Sequence, residues 1–271
     1  FFKFFDPEMS IERLNENEYN RYVLHLKATL NNDVSINSYL RDLITTLHFL
    51  MNEGYIEPFK MKSIKVDKSH VETYDEQELK LLLRKPDLKK CSFTEYQCWV
   101  QTNLLFSTGV RQRSLIHIKV KDVDLFNNIL NVNVTKNRKP LVVPISQTMA
   151  NILREYLTFR QHESGDDYLF CNVFGKQLTK STSYHQLYTY NKGRGVETTG
   201  IHRYRHTFAK QWILNGGNVV ALQKILGHSN LAITQNYINM LVSETAEEVN
   251  AINLIDKFVE TRTYKMNMRK Q

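Results

Sequence analysis

Apolar residues recur at helical spacing along most of this chain, and the pattern changes to strict alternation in one stretch only, residues 123–145. Such a chain is restricted to a mainly α fold carrying one small antiparallel β-sheet. Leu14, Tyr19, Tyr22, Val23, Leu26 and Leu30 form a first helical stripe, with Asn15 and Glu18 disposed as a capping box. A second stripe runs through Ile36, Tyr39, Leu40, Leu43, Ile44, Leu47 and Leu50, with Ser35 as the expected N-cap and Gly54 as the stop. Asp75 and Glu78 cap a third helix, and a fourth, TEYQCWVQTNLLFSTG, closes at Gly109. Leu130, Val132 and Val134 then alternate with polar residues, and turns at Asn127-Asn128 and Asn137-Arg138 divide two or three antiparallel strands. Residues 146–162, 181–190, 202–215, 218–226 and 230–241 return to helical spacing.

The 271 residues correspond to about two domains at roughly 150 residues each. The pattern divides them into a helical block over 1–58, a basic linker over 59–72, a larger α+β block over 73–260, and a tail over 243–271 that overlaps it. In the linker Lys60, Lys62, Lys65 and Lys68 are interrupted by one acid, Asp67, so this run is either a solvated surface or a strap along phosphates. Because the chain opens on Phe1, a segment preceding it is expected. With 42% apolar residues, 10 Gly and 5 Pro, fibrous and disordered classes are excluded. No apolar run reaches the ~18 residues of a membrane span, so a soluble, cytoplasmic protein is expected. Cys91, Cys98 and Cys171 have no zinc-ligand spacing and read as reduced thiols. The net charge of +8 points to a polyanionic partner without saying which one.

Polar chemistry is densest in IHRYRHTF, where His202, Arg205 and His206 fall within about a turn and a half of helix. His202 and His206 have the i, i+4 spacing of zinc ligands, but Arg203 stands where a zincin has Glu, and Arg205 is close by. The cluster suits an anion instead, since guanidinium offers paired planar donors and keeps its proton. Arg111 follows Gly109, Lys136 sits in the turn of the hairpin, His228 follows Gly227, and Tyr237 lies nine residues beyond His228. Each has an ordinary structural reading by itself.

As an ordered set they are specific: TGxR, a turn lysine eight residues before Pro144, HxxRHTFA, LGHS, and Tyr nine residues after the His. This set resembles the catalytic domain of the tyrosine recombinases, the phage-integrase and Xer-like family, over about residues 73 to 260. The first helices and the linker are more weakly similar to that family's core-binding, DNA-clamping domain. The resemblance implies Arg111 and Arg205 on the scissile phosphate, Lys136 as the hairpin lysine, His202 as the first residue of the HxxR box, His228 at the family's His or Trp position, and Tyr237 as nucleophile. Lys60, Lys62, Lys65, Lys68, Arg113, Lys139 and Arg203 are expected DNA contacts. The chain departs from the family at Ser114, where an acidic residue usually supports the first arginine, at Tyr204 in place of a common Leu, and at Leu141 in place of a basic residue.

The implied reaction needs no metal, no ATP and no cofactor. A tyrosine keeps the phosphodiester energy in a covalent 3′-phosphotyrosyl bond that religation returns. The resemblance further implies inverted-repeat core sites on double-stranded DNA, a homo-tetramer with a Holliday-junction intermediate, an accessory DNA-bending or directionality factor, no membrane, and work at the bacterial nucleoid for a mobile element or chromosome-dimer resolution. The tail, with Val249, Ile252, Leu254, Ile255 and Phe258 on one stripe, is expected to pack on its own domain or on a neighbouring protomer. Two rivals remain at this level. One is a type IB topoisomerase-like relaxase with the same chemistry. The other is a non-catalytic DNA binder that uses the helices flanking Gly216-Gly217 as a helix-turn-helix.

Overall fold

The helical spacing and the single alternating stretch are both realised in a computed structural model, which describes residues 4–6, 8–65, 72–197, 199–230, 234, 235 and 237. The chain forms two compact units, the first ending at residue 69 and the second starting at residue 70.

In the first unit, α1 (Glu16–Thr29) and α2 (Asp33–Asn52) bury one stripe each: Tyr19, Tyr22 and Leu26 from α1, and Ile36, Leu40, Leu43 and Leu47 from α2. Asn15 caps α1 by accepting the N–H groups of Asn17 and Glu18. α2 begins earlier than expected because Asn32, not Ser35, is its cap, its side chain accepting from Val34 and Ser35. Asn is as good a cap as Ser, and the earlier one adds helical bonds. Residues 59–65 are more than a linker. Phe59, Met61 and Ile64 pack against the helical core, Tyr19 Oη donates to the Lys62 carbonyl (2.8 Å), and the Asn37 side chain pairs with both backbone groups of Ile64. Lys60, Lys62 and Lys65 point outward from this strip and are exposed, while Lys68 lies outside the described residues.

The second unit is organised around α4 (Phe93–Thr108), which is buried on nearly every side. α3 (Glu76–Leu83) precedes it with the expected capping box complete in both directions. After α4 come the single-turn α5 (Gln112–Leu115) and a three-stranded antiparallel sheet in the order β1 (Val123–Asp124), β2 (Ile129–Val132), β3 (Leu141–Pro144). Register pairs Leu130 with Val143 and Val132 with Leu141, so Leu130, Val132 and Val143 face the core together. Asn128 and Arg138 take the left-handed conformation at the two expected turns. α6 (Gln147–Phe159), α7 (Lys180–Gly193), α8 (Ile201–Leu214) and α9 (Val219–Leu226) follow. Of the helix expected over 230–241, Thr234, Gln235 and Tyr237 are helical, and the rest lies outside the described residues, as does the tail over 243–271. Cys98 and Cys171 are buried free thiols and Cys91 a partly buried one; burial pushes the Cys98 thiol up to about 12. Among the described residues no helix is long and apolar enough to cross a membrane.

Gly109 ends α4 at φ +62°, and a Cβ there would stand 2.7 Å from both Leu226 Cδ2 and Phe208 Cδ1. Gly109→Ala combines left-handed strain with overpacking and is expected to lower stability by about 2 to 4 kcal/mol. Urea denaturation measures it, and a loss under about 1 kcal/mol would show that α9 does not close on the end of α4 as described.

Candidate active site

Arg205, on α8, is a deeply buried charged group of the second unit, 5% exposed. Its guanidinium donates to the Gly109 carbonyl (2.6 Å), the Leu226 carbonyl (2.7 Å) and His228 Nε2 (2.8 Å). The two carbonyls stand at the C-terminal ends of α4 and α9, where unpaired C=O groups and the negative end of the helix dipole favour a cation. Burial, then the neighbouring Arg111, lowers Arg205 to about 10, so it remains charged at neutral pH.

The same contact settles the state of His228. A guanidinium only donates, so Nε2 accepts, and Nδ1 carries the hydrogen that goes to Thr234 Oγ1 at 2.9 Å. Burial first, then Arg205, Arg111 and His206, lowers His228 to about 4, which keeps it neutral. Its ring stacks on Tyr237, with centroids 6.3 Å apart and planes 8° apart. Tyr237 is 5% exposed, and its hydroxyl lies 3.0 Å from His206 Nδ1. Burial raises the Tyr237 phenol above its ordinary value, against the opposing pull of Arg205 and Arg111.

Arg111 is the N-cap residue of α5, immediately after the buried Val110. Burial lowers its guanidinium from the ordinary value while Tyr237 works the other way. Among the described residues no side chain hydrogen-bonds its head. Ser114, in the place of the expected acidic support, instead donates its hydroxyl to the Val134 carbonyl (2.8 Å), fastening α5 to the root of the hairpin. Gln112 fastens α5 on another side through the Lys180 carbonyl (2.8 Å).

Arg111, Arg205 and His228 open into one cleft of about 380 Å³, which also includes Ser114, Thr135, Asn137, Lys139 and Leu141 in its walls. No acidic side chain is among the described residues that line it. A cleft with two arginines, a lysine and no carboxylate is built for an anion.

The structure therefore brings Arg111, Arg205, His228 and Tyr237 together. His202, in the first turn of α8, keeps much of its surface open to solvent, and the partial desolvation of its ring, then the charges of Arg205, Arg111 and Lys180, lower it from its ordinary value. Lys136 is exposed at the hairpin tip and is not part of the cleft wall, whereas Lys139 is. Arg113 is exposed. Arg203, expected to face a partner, instead stacks its guanidinium on the Tyr74 ring at 4.9 Å, with Nε and one terminal nitrogen buried. His206 is the residue that sequence reasoning passed over. Its i+4 relation to His202 was visible, but nothing in spacing shows which histidine reaches the distant Tyr237.

The direction in which α8 presents these side chains is set by a buried polar network. Tyr204 Oη donates to Asn191 Oδ1 (2.8 Å), Asn191 Nδ2 donates to Tyr74 Oη (3.0 Å), and the Gly200 N–H donates to the same oxygen (3.2 Å). The Tyr74 N–H in turn donates to Thr207 Oγ1 (2.9 Å). The departure from Leu at Tyr204 thus supplies a bond between α7 and α8.

Residues 72–244 match the model of the phage integrase family. Tyrosine recombinase XerA of Thermococcus kodakarensis is 30% identical over 252 residues, covering 91% of this chain and 85% of the relative. Tyrosine recombinase XerD of Staphylococcus aureus is 30% identical over 199 residues, covering 70% of this chain and 65% of the relative. Among solved structures, XerH recombinase in a post-cleavage complex with its palindromic difH substrate superposes with a TM-score of 0.71 at 19% identity, covering 91% of this chain and 74% of the other. The Tn1549 transposon integrase in complex with a circular intermediate DNA gives 0.67 at 21% identity, covering 88% and 86%. At these identities the structures establish a shared fold.

His228 is neutral in the fold down to about pH 4 but titrates near 6.5 once unfolded. The unfolded chain therefore binds the extra proton first, and stability falls as pH drops from about 6.5 towards 4, by up to ~1.4 kcal/mol per pH unit for this group. In His228→Asn, urea denaturation between pH 7 and 5 should show a shallower fall than in wild type. Parallel curves would contradict the assigned neutral state.

Proposed function

The chain belongs to the phage integrase family of tyrosine recombinases, DNA strand-transferring enzymes, and on that footing we propose that it is a site-specific recombinase whose nucleophile is Tyr237. The observation that carries the assignment is the phenol of Tyr237, 3.0 Å from His206 and under the pull of Arg205 and Arg111, beside an anion cleft that no carboxylate among the described residues lines.

In this reading the scissile phosphate of duplex DNA enters the cleft against Arg111 and Arg205. The Tyr237 oxygen forms a bond to phosphorus as the bond to the 5′-oxygen breaks, leaving a 3′-phosphotyrosyl link and a free 5′-hydroxyl. The two guanidiniums hold the negative charge that builds on the phosphoryl oxygens, and removing one such donor typically costs ~10²- to 10³-fold in rate. Arg205 comes already desolvated and fixed, so it does not reorganise as charge develops. His228 holds Arg205 from the far side and stacks on the Tyr237 ring, which keeps phenol and cation in register. His202, beside both arginines, supplies a further hydrogen-bond donor at the cleft edge. The departing 5′-oxygen needs a proton, and a lysine on the hairpin is suited to give it. Lys136 does so by movement of the hairpin tip, while Lys139 bears on the backbone of the DNA. Arg113 and the exposed lysines 60, 62 and 65 add phosphate contacts, whereas the stacking of Arg203 on Tyr74 assigns it to the fold.

The assembly follows from exchange chemistry. Four active tyrosines cut two duplexes, so the working form is a homo-tetramer on paired inverted-repeat sites that passes through a Holliday junction, at the bacterial nucleoid and with an accessory DNA-bending or directionality factor. The duty is integration of a mobile element or resolution of chromosome dimers. Strand relaxation by a lone protomer and non-catalytic binding are the less favoured readings.

A nicked suicide substrate, in which the cleaved strand loses its short 5′-hydroxyl fragment, tests the nucleophile. Wild type should form a detergent-stable protein–DNA adduct and Tyr237→Phe none; an adduct in Tyr237→Phe would remove the assignment. A substrate with sulfur in place of the bridging 5′-oxygen tests the acid, because a thiolate leaves without a proton. It should restore Lys136→Ala to near wild-type cleavage. Rescue of Lys139→Ala in its place would transfer the role to the lysine in the cleft wall.

A further inference from the structure

We propose that His206 is the proton acceptor for Tyr237, taking the phenolic hydrogen on Nδ1 as the bond to phosphorus forms and returning it on religation. This rests on the strand-transfer reading above and adds a catalytic residue to it.

Of the described groups around the phenol, only one can accept its proton. The charge of Arg205 bears on the phenol, but a guanidinium only donates. His228 has both ring nitrogens committed, Nε2 accepting from Arg205 and Nδ1 donating to Thr234, so it has no free lone pair for a proton. His202 stands one helical turn away on an exposed position, and among the described residues it makes no hydrogen bond to Tyr237. His206 remains, with Nδ1 at 3.0 Å from the hydroxyl. The hydroxyl then donates its hydrogen to His206, so Nδ1 accepts and Nε2 carries the ring hydrogen.

The charged and titratable groups facing His206 are His202 and Arg205 on its own helix, and Tyr237 and His228 from the segment after α9. Burial first, then His202 and Arg205, lowers its value, so the imidazole is neutral at pH 7 and able to accept. The step balances. The phenolic proton moves to His206 Nδ1, the Tyr237 oxygen joins phosphorus, and the released 5′-oxygen takes a proton from the hairpin lysine. On reversal the 5′-hydroxyl attacks and gives its proton back to the now neutral hairpin lysine, while His206 returns its proton to the departing phenolate. The imidazolium formed in the first step is close to Arg205, and the phosphate then held in the cleft offsets that repulsion.

Single-turnover adduct formation on the nicked suicide substrate, measured from pH 5.5 to 9 with wild type, His206→Ala and His206→Asn, tests this. The Asn carbonyl can stand near the position of Nδ1 and accept the same hydrogen bond, but it cannot take the proton. Wild type should rise from the acid side to a plateau near neutrality. Both variants should be slower at pH 7 by about 100-fold or more and should climb about tenfold per pH unit without a plateau, because only preformed phenolate reacts. A fluorotyrosine at 237, with its more acidic phenol, should recover rate in His206→Ala far more than in wild type. Wild-type rate and profile in His206→Asn would reduce His206 to a hydrogen-bond partner and overturn the proposal. So would a loss in both variants with the wild-type pH profile retained. If wild type forms no adduct, the failure lies with the strand-transfer reading itself.

Discussion

A buried guanidinium that no carboxylate among the described residues pairs is the constraint on which the rest of this site depends. Desolvating an isolated charge costs several kcal/mol even after relaxation, so Arg205 is tolerable only where other groups replace its water. The fold supplies the C-terminal carbonyls of α4 and α9 together with His228, each within 2.8 Å. These are partial charges. They satisfy the donors without cancelling the charge, which a carboxylate would do. The arrangement leaves a net cation, reinforced by Arg111, at the wall of a cleft whose natural complement is a phosphate.

From that constraint several features follow. α4 must end in the left-handed turn at Gly109 so that its carbonyl meets Arg205 and the chain can turn to set Arg111 beside it. α8 and α9 must close against the end of α4, where Phe208 and Leu226 leave no room for a Cβ at Gly109. His228 must be neutral and hold one tautomer. Tyr237, stacked on that imidazole, is held as a buried phenol whose value burial raises and the arginines lower. It is thus protonated at rest, and attack requires both a phosphate in the cleft and an acceptor for the proton.

Much of this could be read from the chain, and the rest has physical reasons for being hidden. The helices, the hairpin turns and the cap at Asp75 follow from local rules, whereas Arg111, Arg205, His228 and Tyr237 are singled out only as an ordered set, through its resemblance to the tyrosine recombinases. The start of α2 was displaced because two good caps compete and the earlier one forms more helix. The strip over 59–65 looked like a linker because its lysines alternate with Phe59, Met61 and Ile64, whose packing depends on helices distant in sequence. Arg203 was placed on DNA because charge is visible in sequence, whereas stacking on Tyr74 is not. His206 was missed because its partner is 31 residues away.

The most direct test of the account is to locate the covalent bond. After reaction with a suicide substrate and digestion of protein and DNA, mass spectrometry of the modified peptide should find a nucleotide joined through its 3′-phosphate to Tyr237. Attachment at any other residue, or through a 5′-phosphate, would contradict the site described.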